Sequence, residues 1–359
     1  MKKVYIFVHG LSGWGVYDSR YKWFPYWKTD RSGDDLMKYL RENGYESYAA
    51  SVAPSGSAWD RACELYAQLC GTRVDYGKAH SEKYKHERFG TDFTGRPLIP
   101  SADEDVQLVL LGHSFGGATI LLFSELMLHG DAKEQQYTDP EDLSPLFRGG
   151  NGGRIHSIVT LAAPMNGTTA YEIFEDPDFD PYEVETSRWS RVMGRALSNG
   201  AEPKRDGRDL RDYADYDMHI DHAMELLEKI ETSPSIYYFS VPCTFTVKQA
   251  DGTWIPEKKM DSLLVQRSTQ MGAYSGKTLK GFVIDESWRE NDGLVNTVSA
   301  RCPIGAPAKE LDRECIERGK WNVFPAVRGD HMWPQGGIAR RQDVKGFYLD
   351  LLSMVSKLK

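Results

Sequence analysis

A serine placed between a buried strand and a helix constrains this chain more than any other feature. The apolar, β-branched run at residues 106–111 predicts a fully buried strand, and residues 118–127 predict a helix packed behind it. Gly112-His113-Ser114-Phe115-Gly116 joins the two. In this setting G-x-S-x-G is typical of a strained turn that lifts the serine hydroxyl to a helix N-terminus, where free amides favour an oxyanion. Ser114 is therefore predicted to be a nucleophile, whereas the isolated pattern would indicate an incidental serine.

The flanking sequence predicts a parallel sheet around this turn. Residues 4–8 and 45–52 are predicted strands, and residues 35–43 are a predicted helix that ends at Gly44. Strands that alternate with helices favour a mostly parallel sheet with helices on both faces. At 359 residues the chain is longer than most single domains, but one α/β sheet with insertions accommodates that length. We therefore expect a single α/β domain over residues 1–359.

The charge and hydropathy of the chain limit its partners. The formal net charge is −8, and the 44 lysine and arginine residues are scattered along the sequence. This distribution lacks the basic patch with which proteins bind nucleic acids or an anionic membrane surface. No apolar run approaches the roughly 20 residues that a membrane-spanning helix needs. A neutral small molecule or polymer is the expected partner, and the sequence predicts no oligomeric state.

The cysteines and the N-terminal residues bear on the cellular compartment. Five cysteines, an odd number without zinc-finger spacing, predict reduced structural thiols, with Cys302 and Cys315 as the pair that an oxidising setting would allow. Met1-Lys2-Lys3 leads directly into the first strand rather than into the apolar region of a signal peptide. We expect a secreted protein if a leader peptide has been removed, and a cytoplasmic protein otherwise.

A glycine-rich loop, His9-Gly10-Leu11-Ser12-Gly13, follows the first strand. In folds of this architecture such a loop supplies one of the two amides that stabilise an oxyanion, and the residue after the nucleophile supplies the other. The backbone N–H groups of Leu11 and Phe115 are therefore the predicted oxyanion donors. His9 is predicted to orient the loop rather than to act as a catalyst.

Residues 59–93 break the alternation of strands and helices, and they carry Asp60, His80 and His86 among many aromatic side chains. Two histidines and an acid suggest a small insertion that a metal, rather than its own core, holds together. Two solvated histidines remain the alternative, because residues six apart face different ways on one regular helix.

A second polar group lies at residues 215–222. It either completes such a metal site or forms the exposed start of a helix. By spacing alone, His219 and His222 are its better candidate ligands, because residues three apart share one face of a helix.

Three blocks of the sequence are distinctive: Trp59-Asp60-Arg61-Ala62-Cys63-Glu64, Gly71-Thr72-Arg73-Val74-Asp75-Tyr76-Gly77-Lys78-Ala79-His80 with His86 and Arg88-Phe89-Gly90, and Glu290-Asn291-Asp292-Gly293-Leu294-Val295-Asn296-Thr297. Together they resemble the zinc-containing bacterial lipases, which are the thermoalkaliphilic Bacillus-type and staphylococcal enzymes. The resemblance extends from His9 to about Tyr348. It is far more specific than G-x-S-x-G alone. It implies an α/β-hydrolase that hydrolyses carboxylic esters.

The resemblance also implies that residues 59–93 form a small zinc subdomain. By matched position, the implied zinc ligands are Asp60, His80, His86 and Asp217. Asp217 thereby takes precedence over the two histidines that spacing alone favours. Two imidazoles and two carboxylates fill a tetrahedral shell, so the implied zinc is structural. A metallohydrolase whose zinc activates water, and a non-catalytic binding member of the fold, remain the alternatives.

A serine nucleophile needs a base and an acid, which follow it in the order acid, then histidine, in this fold. His331 is the one histidine after residue 222, and it lies on a glycine-flanked loop, so it is the predicted general base. Asp292 lies in an Asn-Asp-Gly turn after a predicted strand, at an edge where catalytic residues of α/β folds cluster. Such a turn alone would indicate no chemistry, and the resemblance makes Asp292 the predicted acid. Asp330 and Asp285 are the alternative acids.

Two residues depart from the family pattern. The family's calcium site uses a glutamate two residues after the catalytic histidine, and Trp333 at that position argues against calcium. Phe115 stands where the family commonly has glutamine. We expect this change to keep the backbone donor and to make the lining of the oxyanion region more apolar.

The segment at residues 170–216 is predicted to be a cover much shorter than the family's lid. A reduced cover leaves more of the cleft exposed and weakens any activation at an oil surface. The expected substrates are therefore short- to medium-chain esters and synthetic polyesters. The apolar residues that remain in the segment are Tyr171, Ile173, Phe174, Phe179, Trp189 and Met193.

Overall fold

A seven-stranded parallel sheet forms the centre of the computed structural model, which describes residues 1–99, 106–181, 183–184, 207–228, 230–338 and 340–359. The strands run in the order β13-β14-β7-β6-β5-β1-β2, and every neighbouring pair is parallel. The described strands are β1 Lys2–Val8, β2 Ser47–Ala50, β3 Arg73–Asp75, β4 Phe89–Asp92, β5 Val106–His113, β6 Ile155–Leu161, β7 Tyr237–Val241, β8 Cys243–Thr244, β9 Thr246–Lys248, β10 Trp254–Pro256, β11 Gly276–Lys277, β12 Val283–Ile284, β13 Ala308–Glu310, β14 Trp321–Val323 and β15 Val327–Arg328.

Helices connect the strands of this sheet, as parallel strands require. Asp35 shows how the sequence sets a boundary: its side chain accepts a hydrogen bond from the amide of Met37, so the helix predicted at residues 35–43 begins one residue later. The described α-helices are α1 Leu36–Glu42, α2 Ala58–Cys70, α3 Lys78–Tyr84, α4 Gly116–His129, α5 Ala132–Tyr137, α6 Pro145–Arg148, α7 Thr169–Glu172, α8 Ala214–Met218, α9 Ile220–Glu228, α10 Val265–Ala273 and α11 Lys345–Ser356.

Both faces of the sheet are buried, which explains the continuous apolar runs of its strands. In β1, Val4 and Ile6 pack in a core with α2 and α4, whereas Tyr5 and Phe7 pack in a second core with α1 and α11. The layered arrangement, with a parallel sheet between helices, confirms the predicted α/β-hydrolase fold.

The segment at residues 59–93 lies beside this sheet rather than in it. Its strands β3 and β4 pair with each other in antiparallel fashion, and α3 lies between them along the chain. Helix α2 packs on α4, the helix that follows Ser114. The segment is thus attached directly to the helix behind the predicted nucleophile.

Three further expectations concern features outside the sheet. All five cysteines are free thiols, so Cys302 and Cys315 do not pair. No helix among the described residues combines the length and the apolar character needed to cross a bilayer. Of the predicted cover, residues 170–181, 183–184 and 207–216 are described, and they include most of α7, the 3-10 turn at Leu210–Asp212 and the start of α8. Trp189 and Met193 lie outside the described residues.

Candidate active site

Ser114 occupies a tight turn between β5 and α4. Its φ angle is 55°, in the left-handed region that side chains rarely adopt. Glycines surround the turn because backbone passes close by: a Cβ on Gly112 would lie 2.4 Å from the carbonyl oxygen of Gly116, and a Cβ on Gly116 would lie 2.3 Å from that of Val8. The G-x-S-x-G pattern is thus a steric requirement of this turn.

The structure brings Ser114, His331 and Asp292 together. Nε2 of His331 lies 2.9 Å from Oγ of Ser114, and Nδ1 of His331 lies 2.9 Å from Oδ2 of Asp292. All three residues are buried. Since a carboxylate only accepts hydrogen bonds, Nδ1 carries the proton and Nε2 is left to accept the serine hydroxyl. This is the geometry that an activated serine nucleophile needs.

Neighbouring amides fix the carboxylate of Asp292. Its Oδ1 accepts hydrogen bonds from the backbone N–H groups of Leu294 at 3.0 Å and Val295 at 2.8 Å. The amide of His331 donates to the Asp292 carbonyl at 2.8 Å. The carboxylate of Asp292 is therefore held by its own turn, and its backbone is held by the loop that carries His331.

The two alternative acids are engaged elsewhere. Asp330 accepts hydrogen bonds from the amides of Asp261 at 2.9 Å and Met332 at 3.1 Å, and burial raises the pKa of its carboxyl to about 6. Asp285 caps a turn by accepting from the amide of Ser287. Asp292 is thus the acid whose carboxylate contacts His331.

His113 positions the histidine loop, a role that sequence reasoning missed. Its Nε2 lies 2.8 Å from the backbone carbonyl oxygen of His331, so it donates there, and its Nδ1 accepts from the Tyr26 hydroxyl at 2.7 Å. Burial lowers the pKa of His113 well below its usual value, which keeps the ring neutral and this pattern fixed. The clue in the sequence was the histidine within G-x-S-x-G itself.

The loop after β1 faces the serine turn. A Cβ on Gly10 would lie 2.7 Å from Cβ of Ser114. Among the described residues, no protein atom accepts a hydrogen bond from the backbone N–H of Leu11 or Phe115. His9 fixes the loop: its Nδ1 donates to the Gly10 carbonyl at 2.8 Å, and burial lowers its pKa to about 3, so it stays neutral. Both predicted amides are therefore free to donate.

The expectation that Phe115 makes the oxyanion region more apolar is wrong. The ring is fully buried in the core beneath the helices, and the guanidinium of Arg61 lies 5.0 Å from its centroid. The ring of Trp333, two residues after His331, packs against Phe347 with centroids 4.8 Å apart. Because its ring is fully buried, Phe115 does not line the approach to Ser114.

Arg61 is a further supporting residue that the sequence did not reveal. Its buried guanidinium donates to the His9 carbonyl and, at 2.9 Å, to Oγ1 of Thr119 on α4. Burial lowers its pKa to about 10, which still leaves it charged at neutral pH. One side chain of α2 thus connects the Gly10 loop to the helix of the nucleophile.

Four side chains form a buried candidate metal group on the other side of α2: Asp60, His80, His86 and Asp212. Nε2 of His80 lies 3.3 Å from Oδ1 of Asp60 and 3.2 Å from Oδ1 of Asp212, and Nε2 of His86 lies 3.3 Å from Oδ2 of Asp212. In a tetrahedral zinc shell with bonds of about 2.1 Å, the ligand atoms lie about 3.4 Å apart. The separations therefore suit a small divalent cation.

The predicted ligand Asp217 is wrong in this group, and Asp212 takes its place. Oδ2 of Asp217 accepts a hydrogen bond from the amide of Ala58 at 2.7 Å, so this carboxylate caps the N-terminus of α2. Asp212 ends a short 3-10 turn at Leu210–Asp212, which directs its carboxylate inwards. The two aspartates are five residues apart in one acidic stretch, and their spacing does not indicate which of them belongs to the metal group.

The chemistry of the donors fits a bound cation. Oδ1 of Asp60, Nε2 of His86 and Oδ2 of Asp212 are buried without a hydrogen-bond partner among the described residues. Nδ1 of His86 donates to the Glu87 carbonyl at 2.9 Å, which leaves Nε2 with a free lone pair. The guanidinium of Arg208 contacts the same carboxylates, at 2.8 Å from Oδ2 of Asp60 and 3.5 Å from Oδ2 of Asp212. It leaves Oδ1 of Asp60 and Nε2 of His86 without a hydrogen bond, and buried acceptors of this kind are costly unless a cation reaches them.

Comparison with known proteins agrees with this architecture. Residues 1–179 match the family described as "Lipase-like, C-terminal domain". The lipase of Staphylococcus hyicus is 31% identical over 353 residues, which cover 92% of this chain and 53% of that protein. A lipase of Staphylococcus epidermidis is 31% identical over 350 residues, or 91% of this chain and 48% of that protein. The chain thus spans about half the length of these curated relatives.

Solved structures match over nearly the whole chain. EstA from Clostridium botulinum superposes with a TM-score of 0.84 at 28% identity, covering 100% of this chain and 88% of that one. The crystal structure of Staphylococcus hyicus lipase gives a TM-score of 0.80 at 29% identity, covering 99% and 96%. Fold and site together define an α/β-hydrolase. Within that class, the chain belongs to the bacterial lipase family of the staphylococcal type.

Proposed function

We propose that this chain hydrolyses carboxylic esters through an acyl-enzyme on Ser114, with His331 as general base and Asp292 as the orienting acid. The observation that carries this proposal is the continuous hydrogen-bonded chain from Oγ of Ser114 through His331 to Oδ2 of Asp292. The free amides of Leu11 and Phe115 beside the serine turn support it.

The reaction follows from the protonation pattern. Nε2 of His331 takes the hydroxyl proton as Oγ of Ser114 bonds to the ester carbonyl carbon, and the carbonyl oxygen becomes an oxyanion beside the two amides. The tetrahedral intermediate collapses, the C–O bond to the alcohol breaks, and His331 returns the proton to the departing alkoxide. Water then attacks the acyl carbon while His331 takes its proton, and the second tetrahedral intermediate releases the carboxylic acid as His331 returns the proton to Oγ of Ser114. Asp292 stabilises the imidazolium while it carries the proton.

Zinc is the proposed occupant of the candidate metal group, with a structural role. Asp60, His80, His86 and Asp212 would supply two nitrogens and two carboxylate oxygens, which is a full tetrahedral shell. A cation held there would tie α2 and α3 to the 3-10 turn at Leu210–Asp212. Its binding free energy would then appear as folding stability rather than as catalysis.

Ser114→Ala tests the proposal. We expect p-nitrophenyl ester hydrolysis to fall to the residual level, roughly 10³–10⁴-fold above water, that an oxyanion hole and binding alone supply. Ser124→Ala, which replaces a buried hydroxyl on α4, is the matched control and keeps activity. A serine-directed phosphonate should inactivate the wild-type protein, whereas a zinc chelator in the cold should not. Turnover by Ser114→Ala close to the wild-type rate would refute the serine mechanism.

We further propose short- to medium-chain esters, and synthetic polyesters, as substrates. The support is the expectation from the sequence that the cover at residues 170–216 is shorter than the family's lid, since a small cover leaves little apolar surface to be uncovered at an interface. The test is the rate of tributyrin hydrolysis through its solubility limit. A smooth curve is expected, whereas a sharp rise at emulsion formation with a preference for long-chain triglycerides would show a full lid.

A further inference from the structure

A second group of metal-ligating side chains lies outside the site described above. Glu172 ends α7, Glu175 follows one turn later, and His219 precedes α9. One ligand atom from each lies within 4.8 Å of the others. These residues line a cavity of about 280 Å³, to which Tyr216 and His222 also contribute. Histidine nitrogen and carboxylate oxygen together are the donors that zinc and similar divalent metals take from proteins.

The distances in this cavity fit ligand atoms around a small cation, and without one they leave His219 in ion-pair range of both glutamates. Nδ1 of His219 lies 3.4 Å from Oε1 of Glu172 and 3.6 Å from Oε2 of Glu175. Both values exceed the 2.7–3.2 Å of an ordinary N–H···O hydrogen bond, and they are close to the edge of about 3.4 Å in a tetrahedral zinc shell. Oε1 of Glu172 accepts from the amide of Ile220 at 2.7 Å, which orients the carboxylate and leaves it a further lone pair.

A separate observation also points to a ligand in this cavity. The His222 side chain is 23% exposed, but its Nδ1 atom is covered and makes no hydrogen bond among the described residues; Oε2 of Glu225 lies 3.6 Å from it, in ion-pair range. The ring is held flat against Tyr216, with centroids 3.7 Å apart. Asp221 is not available, because its two oxygens accept from Oγ1 of Thr278 and the amide of Lys280.

We propose that Glu172, Glu175 and His219 form a second site for a divalent transition metal, with His222 beside it and solvent completing the shell. Three protein ligands with an open position distinguish this site from a closed structural one, in which the protein supplies all four ligands. The two glutamates lie near the start of the cover segment, residues 170–216, and His219 follows its end, so a cation there would connect the two ends of that segment. The proposal is independent of ester hydrolysis.

Zinc stoichiometry of the full chain tests this site. After dialysis against excess Zn²⁺, wild-type protein should hold two equivalents, one in each group. Glu175→Gln and His219→Gln should hold one tightly bound equivalent, and their second equivalent should bind more than about 10-fold more weakly, since even the loss of an outer partner costs that much. His86→Asn should lose the other equivalent. Glu228→Gln, an exposed carboxylate on α9, is the matched control and should retain both.

The outcomes separate the proposal from a purely structural role. Glu175 is half exposed, so Glu175→Gln keeps the fold even if His219→Gln does not, and its melting temperature without added zinc should equal that of the wild type. Saturation of the wild type at one equivalent would overturn the proposal. So would a second equivalent whose titration curve is the same in the wild type, Glu175→Gln and His219→Gln.

Discussion

Gly10→Ala offers a sharp test of how the loop after β1 sets the serine turn. The added methyl would lie 2.7 Å from Cβ and 3.1 Å from Oγ of Ser114, and 3.2 Å from the His113 carbonyl oxygen. Side-chain carbons in ordinary contact are about 3.5–4.0 Å apart, so the loop and the turn must separate by about 1 Å. Gly10 has no positive φ angle, so contact with Ser114 rather than backbone strain is the source of the effect.

The expected magnitudes follow from this displacement. A shift of about 1 Å in a reacting group costs on the order of 10²-fold in rate, and overpacking of a core costs about 1–3 kcal/mol. We therefore expect kcat/KM for a soluble p-nitrophenyl ester to fall about 10²-fold, with a moderate loss in the free energy of unfolding. Titration of the serine with a phosphonate would show whether every molecule in the sample still carries a reactive hydroxyl.

Gly153→Ala is the matched control, because a Cβ at that glycine meets nothing within 4 Å. It should leave both kcat/KM and the unfolding transition unchanged. If Gly10→Ala kept wild-type kcat/KM, the close approach of the loop to Ser114 would not govern the reaction, and the reasoning from this contact would be refuted.

Three further predictions concern the acid, the metal group and a buried carboxyl. Asp292→Asn should lower kcat about 10⁴-fold without unfolding, since the amide would face the Nδ1 proton and favour the wrong tautomer; circular dichroism and kcat measure both effects. His86→Ala should lower the melting temperature while activity persists in the cold, and His129→Ala, an exposed histidine, should change neither. The pKa of Asp330 is raised by burial to about 6, so folded protein binds more protons than unfolded chain between about pH 4 and 6 and loses stability as pH rises. The unfolding free energy of the wild type minus that of Asp330→Asn should therefore fall by roughly 3 kcal/mol across this window, and a flat difference would contradict the assignment.

The serine turn was predictable because its determinants are local. The strand, the glycines and the helix are all next to Ser114 in the sequence. The close backbone contacts of Gly112 and Gly116 explain why no larger residue fits at those two positions. His331 was predictable because it is the one histidine after residue 222, and Asp292 because its Asn-Asp-Gly turn matches the pattern of the family that the sequence resembles. The structure places them at hydrogen-bond distance from one another, and their catalytic roles stay a prediction until the variants are measured.

The supporting residues were not predictable, because their roles depend on contacts between distant segments. The spacing of the acidic residues does not predict the 3-10 turn that places Asp212, rather than Asp217, in the metal group. Arg61 stands in a helix where a charged residue would ordinarily face solvent, yet it is fully buried. His219 and His222, which spacing favoured as ligands, lie in a different cavity from His80 and His86.

Helix α2 carries two adjacent residues with separate duties: Asp60 faces the candidate metal group, and Arg61 donates to the carbonyl of His9 beside the serine turn. An enzyme engineer who wished to shorten the protein would be tempted to excise residues 59–93 as a detachable accessory. That deletion would also remove Arg61, whose guanidinium holds the loop after β1 beside Ser114. A shortened version of this protein must therefore keep α2. If the loop after β1 is transferred to another protein, that protein must supply a buried positive charge in the place of the Arg61 guanidinium.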